Sequence, residues 1–148
     1  MKIALLLHLL GAVIWIGGMF FAYFALRPAA AMLDPAHRLP LWTRTLERFF
    51  RWVWIAVALI LGSGFYMLAV IADHTRVPFN IHLMLYVGLL MSVIFAYVFF
   101  SPLPALKRAA AGQDWNAGAA ALNRIRRAVA VNLALGLVNL AIATVGQT

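Results

Sequence analysis

The sequence predicts an all-α integral membrane protein, a four-helix bundle running up-down-up-down with both termini on the periplasmic side. Three observations predict it. Of the 148 residues, 66% are hydrophobic and only 11% charged, well outside the balance of an ordinary globular domain. Four segments, about residues 3–26, 53–72, 82–100 and 128–145, each reach the roughly 20 apolar residues that a hydrocarbon core of about 30 Å requires. The basic residues, finally, lie outside these segments, all but Lys2 in the connections between them. A closed β-barrel would instead show ten-residue segments of alternating polarity, and none is present. The spans and their connections use the whole chain, so residues 1–148 read as a single transmembrane domain.

The distribution of charge sets the orientation. Ten of the twelve Lys and Arg lie in two connections: Arg27, Arg38, Arg44, Arg48 and Arg51 after the first span, and Lys107, Arg108, Arg124, Arg126 and Arg127 after the third. The middle connection has only Arg76 and the N-terminus only Lys2. The positive-inside rule places the two basic connections in the cytoplasm, so the chain is expected in a bacterial inner (plasma) membrane. A net charge of +8 concentrated beside apolar spans fits anionic lipid rather than nucleic acid. The first span is too long for a secretion signal and lacks a small-residue cleavage site, so it is read as retained.

Along the chain, the first span is expected to end at Arg27-Pro28, because proline restricts the residue before it. Asp34-Pro35 and Leu39-Pro40 mark turns, and Pro40 suits the first turn of a new helix. The amphipathic run LWTRTLERFFR (41–51) starts that helix outside the lipid, with Trp42, Trp52 and Trp54 expected in an interfacial aromatic belt. Gly62-Ser63-Gly64 reads as a close-packing stretch. The third span opens near His82 and ends at Ser101-Pro102. Gly112 is expected to stop the next segment, and Asp114 to cap the last helix. In that helix Asn132, Gly136 and Asn139 share one face, which should point into the bundle because amides facing lipid cost free energy.

His8 is the residue of most interest. It lies inside the first span on a face of small residues and one indole, comprising Gly11, Ala12, Trp15 and Gly18; an ionisable group within a span is a functional-site hypothesis. His82 opens the third span from the same side. Two imidazoles at similar depth on two helices can ligate one metal between them. Haem b fits such a pair, with His8 and His82 as axial ligands, Gly11, Ala12 and Gly18 leaving room for a flat ring, and Trp15, Phe65 and Tyr86 lining it. Copper is the alternative: imidazole and thioether suit Cu(I), and His74, Met67 and Met84 lie near the same end. Zinc is disfavoured, since Asp73 is the one carboxylate nearby. Each residue also has a plainer reading. His74 and His82 suit an interface, His37 a solvated loop, and methionines and glycines helix packing. The chain has no cysteine, which removes disulfides, thiolate sites and iron–sulfur clusters. It also lacks a phosphate loop, a nucleophile elbow and an HExxH motif.

The stretches HLLGAVIWIGGMFFAYFALRPA, GSGFYML, IHLML and NRIRRAVAVNLALGL resemble CopD-like membrane proteins, which are associated with copper resistance or uptake. The resemblance extends over nearly the whole chain. A related four-helix group, the HemJ-type haem-binding oxidases, implies a haem-ligand role for His8. The sequence departs from that group in having no lysine between Ile81 and Phe100.

Three functions follow as expectations. The first is a b-type haem protein with an electron-transfer or redox role, a haem-dependent oxidoreductase whose partner is a quinone or a redox protein. The second is a copper uptake or resistance protein with a His/Met site. The third is a cofactor-free scaffold or subunit. The sequence leaves the oligomeric state open.

Overall fold

Where a chain this apolar enters lipid, its backbone must satisfy its own hydrogen bonds, and helices do so locally. A computed structural model describes residues 1–145, and among them no strand occurs. The elements are α1 (Lys2–Ala30), α2 (Pro35–His74), α3 (Phe79–Phe100), α4 (Pro102–Ala111) and α5 (Trp115–Val145). Four helical stretches are long and apolar enough to cross a membrane: α1, α2, α5, and α3 continued by α4.

Helix α1 does not stop at Arg27-Pro28. Its turn over Ala22–Leu26 widens to π geometry, and the Arg27 N–H donates to the Ala22 carbonyl. A proline in a regular helix lacks a donor and crowds the carbonyl four residues back. The widened turn just before Pro28 accommodates that misfit, and the helix runs on to Ala30. The next helix begins earlier than the sequence suggests. Asp34 takes the N-cap position and Pro35 the first turn, while Pro40 is carried inside α2. Asp114 caps α5 as expected, its Oδ1 accepting from the Ala117 N–H at 3.1 Å. Helix α4 ends before Gly112, yet the left-handed residue of that turn is Gln113, at φ 54°.

Packing follows the small and polar residues. A Cβ on Gly11 would lie 2.8 Å from Ile60 Cγ1 and 2.9 Å from the Ala56 carbonyl oxygen. One on Gly18 would collide with the Phe49 ring. These contacts run in opposite directions along the two helices, so α1 and α2 are antiparallel neighbours at close range. Helices α3 and α5 pair in the same manner. Asn132 Nδ2 donates to the Met91 carbonyl at 3.1 Å and Asn139 Nδ2 to the Met84 carbonyl at 3.3 Å. Gly136, between them, is buried against Ile16 and Met91. The amide face thus points inward, as its spacing indicated.

The two pairs are joined through aromatic rings. Phe95 of α3 meets Trp15 of α1 at 6.1 Å, and Phe50 and Trp54 of α2 at 5.3 and 4.9 Å between centroids. Trp42 is buried in the core rather than set in an interfacial belt, because it shares a stripe with Leu39, Leu46 and Phe50. Trp52 is exposed, and Trp54 packs on Phe99 as well. Lys107 of α4 pairs with Glu47 of α2 at 2.6 Å.

Gly11→Ala should lower bundle stability by about 1–3 kcal/mol, since the backbone at Ala56 cannot yield like a side chain. Gly17→Ala, where a Cβ meets nothing within 4 Å, should be neutral or slightly stabilising through helix propensity. Thermal unfolding of the two variants in the same detergent compares them directly.

At the start of α2 the Asp34 carboxylate accepts from the His37 ring, and this hydrogen bond holds its carboxyl below the usual pKa. A lowered carboxyl pKa contributes stability that is complete above the ordinary value and is lost as pH falls through the lowered one. His37→Ala should therefore return the Asp34 pKa upward, as read by carboxyl NMR titration.

Candidate functional site

His8 is built into the α1–α2 interface. The close approach at Gly11 brings α1 against Ile60, and His8, one turn earlier on the same face, reaches the next turn of α2. Its Nδ1 lies 3.1 Å from the Ile60 carbonyl oxygen and 3.1 Å from Ser63 Oγ. A carbonyl oxygen can only accept, so Nδ1 carries the proton and Nε2 is left with a free lone pair. Ser63 donates its own hydroxyl proton to the Leu59 carbonyl and is therefore an acceptor toward the imidazole. Gly64 completes the notch: a Cβ there would stand 3.4 Å from His8 Cε1.

This is the arrangement by which a metal-binding histidine is oriented, one ring nitrogen held by the backbone and the other presented. His82 repeats it at the start of α3, where Nδ1 donates to the Pro78 carbonyl at 3.2 Å. His82 is partly exposed, whereas Ser63 beneath His8 is buried. Met67 lies on the α2 stripe that continues Ile60, Ser63 and Gly64 toward the same end. Met84 lies half a turn beyond His82, its carbonyl already taken by Asn139. His74 is exposed at the last turn of α2. Among the described residues, no three His, Asp or Glu side chains gather as a metal-binding group.

The remaining residues assigned to a haem slot are placed differently. The clearance at Gly11 and Gly18 is filled by Ile60 and Phe49 of α2, so these glycines serve helix contact rather than a flat ring. Ala12 is half-buried on the same helix. Trp15 is buried edge-on to Phe95 in the core. Phe65 and Tyr86 are 47% and 64% exposed, facing outward. The pair His8 and His82 stands on α1 and α3; α1 packs along α2 and α5, and α3 along α5, α4 and α2.

Ser63 and the Ile60 carbonyl are hydrogen-bond partners of His8 that no local sequence pattern assigns to it. A hydroxyl in a glycine-flanked turn at the depth of His8 was the available signal.

Helix length and apolarity define a multi-pass helical membrane protein. Residues 43–145 match the family CopD, copper resistance protein D. The chain belongs to this family. The matched region contains Met67, His74, His82 and Met84, while His8 precedes it. Comparison with curated proteins and with solved structures gives no match.

The His8 ring should be fixed as the Nδ1–H tautomer. A ¹⁵N spectrum of histidine-labelled protein in detergent should show one unprotonated and one protonated ring nitrogen for His8. A rapidly averaging pair would contradict the assigned hydrogen bond.

Proposed function

We propose that the chain handles copper at a bacterial inner membrane, in resistance or uptake, with Cu(I) as its cargo. The observation that carries this reading is the CopD match over residues 43–145. The oriented imidazole of His8 adds a ligand of suitable chemistry, since Cu(I) accepts imidazole and thioether donors. Met67, His74, His82 and Met84 supply further donors near the same end of the bundle. Basic residues crowd the opposite end, and the positive-inside rule makes that end cytoplasmic. The copper ligands then face the periplasm, both termini lie on that side, and the four spans run up-down-up-down.

Copper has more support here than haem b or an electron-transfer role. The family is a copper family, and the clearance at Gly11 and Gly18 assigned to a porphyrin is filled by Ile60 and Phe49 of α2. Competition with a Cu(I)-specific chelator tests the reading. Wild-type protein should retain Cu(I), and His8→Ala should lose at least about tenfold in affinity, the scale on which even orienting groups act at metal sites. Unchanged affinity in both His8→Ala and His82→Ala would remove the ligand assignment. Protein produced with added haem should show no Soret band; a band lost in His8→Ala would restore the cytochrome reading.

A further inference from the structure

The copper reading leaves the opposite end of the bundle unused, and there the helices part around a cavity of about 590 Å³. That volume falls within the roughly 300–1,000 Å³ typical of small-molecule sites. The π-turn of α1, the first turns of α2 and the first half of α5 form its walls. Three guanidinium groups, those of Arg27, Arg38 and Arg126, line it together with Trp42, Leu46 and Phe49. Arg27 stacks over the Tyr23 ring at 5.1 Å, and Arg38 Nη1 donates to the Leu33 carbonyl at 3.4 Å.

No carboxylate balances these charges among the described residues. The chain has four acidic side chains. Asp34 is held by His37, Glu47 by Lys107, and Asp114 by the first turn of α5. Asp73 sits at the far end of α2. The cavity therefore has an uncompensated positive lining. Its apolar wall reaches the core, since Leu46 is 2% exposed and Trp42 8%. A small anion alone would satisfy the arginines and leave that wall against water. A neutral lipid would cover the wall and leave three charges unpaired.

We propose that this cavity is a binding site for an anionic lipid, with the phosphate of its headgroup on Arg27, Arg38 and Arg126 and an acyl chain against Trp42, Leu46 and Phe49. Arginine suits the task because its planar fork matches phosphate oxygens in pairs. Basic pockets between spans on the cytoplasmic side are positioned to take such headgroups. The site is separate from the proposed copper ligands: from His8 to Arg27 the helix rises about 28 Å.

Native mass spectrometry of the delipidated full chain in detergent tests the proposal. The probes are phosphatidylglycerol and phosphatidylcholine with identical acyl chains, with inorganic phosphate as competitor. One phosphatidylglycerol should bind per chain in clear preference to phosphatidylcholine. Arg38→Gln and Arg126→Gln should each weaken it about fivefold. Ala119→Trp fills the cavity without altering charge, and should abolish lipid binding while helical content and Cu(I) affinity stay as in wild type. Equal uptake of the two lipids would overturn the proposal, as would phosphatidylglycerol binding that survives all three substitutions. Complete displacement by inorganic phosphate would overturn it in favour of a free-anion site.

Discussion

The hydrogen bond from His8 to the Ile60 carbonyl depends on how near α1 can come to α2, and much of the molecule is arranged to permit that nearness. Gly11 supplies it, since any side chain there would press on Ile60 and on the backbone at Ala56. Gly18 supplies it again two turns on, against Phe49. With the helices this close, a polar ring inside a span is satisfied by backbone, and its second nitrogen remains available. In hydrocarbon an unsatisfied imidazole would be costly, so the glycines and the histidine form one device.

The second helix pair uses a different means to the same end. Between α3 and α5 the approach is fixed by two side-chain amides bonded to carbonyls of the neighbouring helix, with Gly136 between them. Such interhelical bonds are individually modest, on average about 0.6 kcal/mol in membranes. Their value here is registry: both lock α5 to α3 at points two turns apart. Phe95 then ties the two pairs together by meeting rings from α1 and α2.

The spans, the amphipathic start of α2, the inward amide face and the Asp114 cap were legible in the sequence. Each follows from composition or from spacing within one helix. Features that depend on which helices become neighbours were not legible. Gly11 and Gly18 looked like room for a ring because the sequence does not say that Ile60 and Phe49 will occupy it. Trp42 looked interfacial because its spacing does not say that the stripe it shares with Leu39, Leu46 and Phe50 will be covered by other helices. Pro28 looked like a helix end because a compensating π-turn has no sequence signature of its own. The arginine-lined cavity joins positions 27, 38 and 126, and no local pattern connects them.

That π-turn also fixes the direction in which the end of α1 faces. A turn of this kind holds one residue more than a regular helical turn, and each residue advances the helix by about 100°. Removing a single residue between Ala22 and Leu26 would let the Arg27 N–H keep the Ala22 carbonyl in regular α geometry, and Arg27 and everything beyond it would face as before. Tightening the turn to α geometry with all its residues kept would swing them by about a quarter to a third of a revolution. The segment is a rotary offset in the chain, and the side chains downstream of it are aimed by counting residues as much as by packing.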